Sequence, residues 1–219
     1  MTLMSIIHKT QELPSDQKLA VVLLAAGEGS RLGFTPKALL TKNGVSLLQR
    51  FCSVMADLKP IEFIVITGFH SEAIESELAM IRELINIPIT VKHNIKADQG
   101  QGSSVRLALE SLSSDYEVLA MCLSDQPHVG LNEMRVLLEE FKKCGGQEGI
   151  VMPMVGPQRG NPVLFSRRVI DEILSSPGLV CRTYMDQHPN AVKTFNTDNL
   201  AYIQDIDTQE DVLRLKMDC

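Results

Sequence analysis

Two stretches of this 219-residue chain carry side chains whose types and spacing suit phosphate chemistry. The first runs Ala25-Ala26-Gly27-Glu28-Gly29-Ser30-Arg31-Leu32-Gly33-Phe34-Thr35-Pro36-Lys37. Gly27, Gly29 and Gly33 permit backbone conformations that other residues avoid, and they let successive N–H groups crowd around an anion. Arg31 offers a planar fork for phosphate oxygens, and Lys37 a mobile point charge. The bland alternative is a tight turn with surface charges. The second stretch is acidic: Leu123-Ser124-Asp125-Gln126-Pro127. Mg2+ takes carboxylate oxygens together with substrate phosphates, which makes Asp125 the leading metal-ligand candidate. An Asx turn before Pro127 is the structural alternative.

Further candidates follow the same logic. Asp205 and Asp207 stand at i, i+2, so an extended backbone points both to one face. Either could complete a metal site, while Asp207 could instead be the acid at the start of a helix from Thr208. Gln99-Gly100-Gln101-Gly102-Ser103-Ser104-Val105-Arg106 opens a helix whose unpaired N–H groups favour a phosphate or a base carbonyl. Ser103 and Ser104 either contact a ligand there or cap the helix. Asn161 before Pro162 can donate and accept toward a ligand edge, or simply turn the chain. His70 and His128 follow expected strand ends and could line a rim, whereas His8, His93 and His188 read as surface or turn residues. A phosphate-binding loop ending in Gly-Lys-Ser/Thr is absent, as is a full dinucleotide fingerprint. No Gly-x-Ser-x-Gly elbow and no zinc spacing occur.

These residues need a rigid frame. The run from Leu19 to Ala26 is continuously apolar, as suits a strand covered on both faces. Similar strands are predicted at 63–67, 87–91, 118–123, 149–154, 161–165 and 191–195. Between them, helical stripes are predicted at 46–58, 72–84, 100–112, 131–141, 166–174, 179–187 and 208–217. Strands alternating with helices imply an α/β fold with right-handed crossovers. In such sheets ligands bind at the carboxyl ends of the strands, which puts residues 26–37, 68–70 and 124–128 on one rim. Gly68 is a candidate on that ground. Residues 1–17 read as an N-terminal tail and 18–219 as one domain. The segment from Pro153 to Gly160 marks where the chain leaves the main sheet, and 153–200 forms a small elaboration.

Composition narrows the classes. Hydrophobic residues make up 44% and charged residues 22%, which excludes general disorder. With 21 basic and 27 acidic residues the net charge is -6, so nothing steers a nucleic acid toward the chain. The five cysteines form no CxxC pair, which favours reduced, mostly buried thiols. The apolar runs are shorter than a bilayer span or a secretory signal requires. The expectation is a soluble, cytoplasmic protein with no membrane partner.

The stretch LLAAGEGSRLGFTPKALL resembles the signature of the MobA-like nucleotidyltransferase family, with Leu32 at the usual Met position. GQGSSVR is similar to the segment that the molybdenum cofactor (molybdopterin) cytidylyltransferases carry, with Gln101 and Gly102 departing from it. Asn161-Pro162-Val163 resembles their His-Pro-Val, and Asp205-Ile206-Asp207-Thr208-Gln209-Glu210-Asp211 their late acidic segment. The likeness spans about residues 19–216. It implies a three-layer Rossmann-like domain with a mostly parallel sheet, of the nucleoside-diphosphate-sugar transferase type. It further implies that Leu24, Ala25, Ala26, Gly27, Gly29, Ser30, Arg31 and Lys37, with Gly68, Ser103 and Ser104, bind a nucleotide. Arg31, Lys37 and Asp125 would be catalytic. Asp125, with Asp207 or its rival Asp205, would hold Mg2+, and Asn161 and Pro162 would meet the acceptor. The implied reaction moves CMP from CTP to molybdenum-molybdopterin, releasing pyrophosphate, with a molybdenum hydroxylase or its maturation chaperone as recipient. A guanylyltransferase, a cytidylyltransferase for another phosphorylated acceptor, and a non-catalytic cofactor carrier are the other readings. Ala26 favours CTP, because its methyl removes room that a larger base needs.

Overall fold

The computed structural model describes residues 17–144 and 149–218. All but the last residue of the expected tail, and Cys219, lie outside them. The first strand, β1 (Leu19–Ala25), is buried throughout. Its side chains alternate: Leu19, Val21 and Leu23 enter one core, Ala20, Val22 and Leu24 the other. After two short 3-10 turns at Ser30–Leu32 and Lys37–Leu39 comes a small hairpin, β2 (Thr41–Lys42) and β3 (Val45–Ser46). Then follow α1 (Leu47–Leu58), β4 (Glu62–Thr67), α2 (Ser71–Leu84), β5 (Thr90–His93), α3 (Gln101–Ser111), β6 (Val118–Leu123) and α4 (Leu131–Lys143). The later elements are β7 (Ile150–Val155), β8 (Gln158–Arg159), β9 (Val163–Ser166), α5 (Arg167–Ser175), α6 (Cys181–Gln187), β10 (Val192–Asn196) and α7 (Gln209–Leu215).

The main sheet runs β10-β7-β9-β6-β1-β4-β5, with β8 on β7. β4 and β6 flank β1 in parallel, β5 adds to β4 and β10 to β7 in the same sense, and β9 runs antiparallel between β6 and β7. Residues 156–162 therefore do not carry the chain off the sheet. The expected elaboration at 153–200 returns as β9 in the sheet and β10 at its edge. One core packs α1, α2 and α4 on one face, through Phe51, Met55, Leu78 and Phe141. The other packs α3, α5 and α6 on the opposite face, through Ala108, Leu109, Ile170 and Tyr184. This is the three-layer α/β architecture with a mostly parallel sheet.

The strand expected at 87–91 forms three residues later at one end. Pro88 has no N–H to give a ladder, and the bonded register begins with Thr90 opposite Ile64. Ile87 and Ile89 are buried core contacts outside the strand. The hairpin at 41–46 and the β7–β8 turn carry two-residue strands, too short for a periodic signal. Cys52, Cys122 and Cys181 are buried free thiols and Cys144 an exposed one. Burial pushes the Cys52 and Cys181 thiols up to about 12, so neither is reactive near neutral pH. Among the described residues no helix is long and apolar enough to cross a membrane.

Candidate active site

From β1 the chain runs to β4 and β5 on one side, then crosses to β6 on the other. That reversal opens a crevice between the ends of β1 and β6, where Ser124 N donates to Leu24 O at 3.2 Å. A cleft of about 490 Å³ occupies it.

The glycine loop forms one wall and winds around a single carbonyl. Gly29 O accepts from Leu32 N at 2.8 Å and from Phe34 N at 3.0 Å. Gly29 has φ +67°, and a Cβ there would stand 2.1 Å from Thr35 O, so only glycine fits. Gly27 differs: its φ is not left-handed and a Cβ would meet nothing within 4 Å. It lines the cleft, so its bare backbone is open to a ligand. From the loop after β4, His70 Nε2 lies 2.8 Å from Glu28 O and steadies the wall.

Lys37 is the electrostatic centre. Its Nζ donates to Asp125 Oδ2 at 2.9 Å and to Asp207 Oδ1 at 2.5 Å. Arg31 Nη1 lies 3.7 Å from Asp207 Oδ2. Lys37 and Asp125 are mostly buried, at 22% and 20% side-chain exposure, and Asp207 is half exposed at 48%. Burial opposes the charge on Lys37, but the two aspartates outweigh it and hold the ammonium above its ordinary value.

Asp207 is delivered from a distant part of the chain. Ile206 N donates to Asp125 O at 3.0 Å, joining the two acidic loops. Ile206, Val212 and Met217 pack with Leu32 of the glycine loop and with Leu40 and Leu47 in a third apolar cluster. Thr208, not Asp207, caps α7: its Oγ1 accepts from Asp211 N at 3.2 Å. Arg214 and Thr208 hold the Asp211 carboxyl well below the usual range, and it serves the N–H groups of Asp207 and Thr208. The Asp207 carboxylate is left for Lys37 and Arg31.

Of the sequence candidates, Leu24, Ala25, Ala26, Gly27, Gly29 and Ser30 line the cleft, as do Arg31, Lys37, Ser104, Asp125 and Asp207. Gly68 does not line it. A Cβ at Gly68 would stand 2.7 Å from Ala26 O, so this glycine lets the floor pack closely. Ser103 is also turned away: its Oγ lies 2.8 Å from the carbonyls of Lys96 and Gly100 and accepts from Asn94 Nδ2. Neither serine caps α3, whose N-cap is Gly100 without a side-chain bond. Asp205 does not line the cleft either. Burial first, then Asp125 and Asp207, raise its carboxyl to about 6. Asn161 lines a smaller cavity of about 160 Å³, which shares Leu24, Gln101 and Leu123 with the cleft. Pro162, joined to it by a cis peptide, does not. Gly160 packs against the Tyr202 carbonyl, which accepts from Asn161 N at 2.8 Å and fixes that residue. His128 is raised to neither wall of the cleft; burial and then Lys42 and Arg50 lower its pKa. Phe69, from the expected rim, and Gln101, from the GQGSSVR segment, line the cleft, whereas Asp98 on its wall and Arg182 in the smaller cavity carry no motif that sequence reading could single out.

Asp125 Oδ1 is buried with no hydrogen-bond donor. That free carboxylate oxygen, with the Asp207 carboxylate held close by through their shared Lys37 partner, fits a divalent cation. Among the described residues no group of three or more His, Cys, Asp or Glu is arranged to hold a metal. A cation here would therefore draw its remaining ligands from substrate phosphates and water, as Mg2+ commonly does.

A family profile described as MobA-like NTP transferase domain matches residues 21–191. Nicotine blue oxidoreductase of Paenarthrobacter nicotinovorans is 27% identical over 199 residues, covering 89% of this chain and 94% of that one. Bifunctional protein GlmU of Streptomyces avermitilis is 33% identical over 121 residues. That match covers 54% of this chain and 24% of GlmU, so the chain corresponds to only part of that relative. Among solved structures, Rv0371c of Mycobacterium tuberculosis H37Rv has a TM-score of 0.70 at 24% identity, covering 91% of this chain and 97% of its own. A nucleotidyl transferase from Methanothermobacter, Mth528, has a TM-score of 0.67 at 20% identity, covering 90% and 95%.

Proposed function

The chain belongs to the MobA-like NTP transferase domain family, and from that membership and the cleft we propose that it transfers CMP from CTP to molybdenum-molybdopterin. An acceptor phosphate oxygen forms a bond to the α-phosphorus. The bond from that phosphorus to the bridging oxygen breaks, and its electron pair leaves with pyrophosphate. The observation that carries the reading is the Lys37 ammonium between Asp125 and Asp207, below a glycine wall bearing Arg31.

The roles follow from charge and position. The backbone of the glycine loop and Arg31 hold the β- and γ-phosphates. Lys37, kept protonated by its two acids, offsets charge that develops on the departing pyrophosphate. Asp125 and Asp207 would hold Mg2+, which when bound neutralises and aligns the phosphate oxygens. Mg2+ is a hard cation that prefers oxygen ligands, and carboxylates with phosphate oxygens supply them without cysteine or histidine. No general base is required, because a phosphate monoester is largely ionised near neutral pH. Alignment and electrostatics supply the catalysis. Ala26, on the cleft wall, narrows the base site and favours CTP over GTP. Asn161 lines the adjoining cavity, which supports its assignment to the acceptor.

The test is calorimetric titration of CTP, GTP, ATP and UTP, each with Mg2+, into wild type and Asp125→Ala, followed by pyrophosphate release with molybdenum-molybdopterin. CTP-selective binding that weakens in the variant, with acceptor-dependent pyrophosphate, is the expected result. Preference for GTP overturns the base assignment, release with only another phosphorylated acceptor overturns the acceptor, and absence of nucleotide binding overturns the transferase reading. Nucleotide and acceptor binding without turnover identifies a carrier. The near full-length likeness to an oxidoreductase supports a second reading, redox chemistry in the same cleft. NAD(P)H fluorescence that changes on mixing, with no response to CTP, is its signature.

A further inference from the structure

Beside the nucleotide cleft lies the smaller cavity, whose inner surface is apolar. Met121, Met152, Val163 and Phe165 form its floor, all buried in the second core. Its polar lining includes Asn161, Arg159 and Arg182. The two arginines differ. Arg159 Nη1 pairs with Asp186 Oδ1 at 2.6 Å. Arg182, one helical turn before Asp186 on α6, is exposed, and its guanidinium has no hydrogen bond or ion pair among the described residues. The chain's net charge is -6, so a free arginine here is a local feature and not part of a basic surface.

Its position is fixed by packing. Val180, two residues earlier, lies 3.8 Å from where a Gly102 Cβ would stand in the first turn of α3. Gln101 of that same turn lines both cavities. Arg182 thus sits beside the junction of the apolar cavity and the nucleotide cleft. A cation beside a cavity with an apolar floor and the side-chain amides of Asn161 and Gln101 suits a ligand with an apolar ring face, polar ring edges and an anionic end.

We propose that Arg182 recognises the phosphate of the acceptor, a phosphate monoester carried on a planar heteroaromatic ring with apolar faces and polar edges, and holds it at the junction facing the α-phosphorus. This rests on the transferase reading for its place in the reaction, but the recognition itself can be measured without turnover. The probe is 6-hydroxymethylpterin monophosphate, followed by the anisotropy of pterin fluorescence, with the phosphate-free alcohol as its control. Wild type is expected to bind the phosphate ester on the order of tenfold more tightly than the alcohol, as a charge-assisted hydrogen bond provides. Arg182→Gln should lose that preference and Arg182→Lys recover part of it. A preference that persists in Arg182→Gln overturns the assignment, and so does wild type that does not distinguish the two pterins. Mg-CTP titrated into the same proteins separates the two ideas. Phosphate recognition through Arg182 in a protein that ignores Mg-CTP supports the assignment and refutes the transferase reading.

Discussion

Replacing Lys37 with methionine removes one charge from between two carboxylates and keeps the apolar stem. At 2.9 Å the attraction between Lys37 and Asp125 amounts to roughly 5–6 kcal/mol at an effective dielectric of about 20. Desolvation of both groups offsets much of this. Breaking a buried pair by deleting one partner costs about 3–5 kcal/mol, whereas an exposed pair is worth about 1 kcal/mol or less. Lys37 and Asp125 lie near the first case and half-exposed Asp207 near the second, so the net loss should be about 2–3 kcal/mol. For a domain of this size that lowers Tm by about 4–12 °C. The raised Lys37 pKa means its contribution is complete below the ordinary lysine value and fades only above it. The deficit should therefore persist across neutral pH. Added Mg2+ should recover more Tm in Lys37→Met than in wild type, because no ammonium competes for the two acids. Saturation at about 100 times Kd supplies about 2.7 kcal/mol. Thermal melts followed by circular dichroism, with and without Mg2+, measure both effects. Coincident melting temperatures without metal, or an equal Mg2+ response in both proteins, would refute the reasoning.

Four further outcomes are expected. Asp205→Asn should stabilise the fold at pH above about 6 by ~1–2 kcal/mol, in urea titrations. Its raised pKa makes wild type lose stability between the ordinary aspartate value and about 6, so the advantage should vanish on acidification; a pH-independent gain would contradict this. Gly29→Ala should cost about 2 kcal/mol or more, since a left-handed backbone alone costs about 1–2 kcal/mol and the new methyl meets Thr35 O. Gly27→Ala, with open space around it, should leave the urea midpoint unchanged and weaken nucleotide binding by on the order of tenfold; loss of stability there would show that the residue serves packing. Ala26→Gly should raise the ratio of GTP to CTP turnover, and an unchanged ratio would remove the basis for base selection by that methyl.

The fold was legible where the chain is periodic. The apolar run of β1 and the helical stripes of α1 and α4 fall within a residue or two of their expected limits, because burial on two faces leaves few alternatives. Loop chemistry was harder to read. Ser103 looked like a ligand contact, but nearby carbonyls and Asn94 claim its hydroxyl. Gly68 looked like part of the rim, but its role is to pass beneath Ala26. The choice between Asp207 and Asp205 depended on which residue caps α7. The folded chain pairs Thr208 with Asp211 in a capping box, which leaves Asp207 for Lys37. Arg182 left no local signal, since its cavity is made by six separate stretches of the chain.

The bond from Lys37 to Asp207 spans 170 residues of sequence. During synthesis the glycine loop and its lysine therefore emerge from the ribosome long before the acid that completes their electrostatics. At about 5–20 residues per second, that interval lasts roughly 10–30 seconds. Asp125 follows Lys37 by 88 residues, so for the second half of that interval a nascent chain holds one of the two carboxylates and lacks the other. Because the late acidic segment is held by packing against Leu32 of the glycine loop, the pair of acids around Lys37 is complete only when nearly the whole domain is in place.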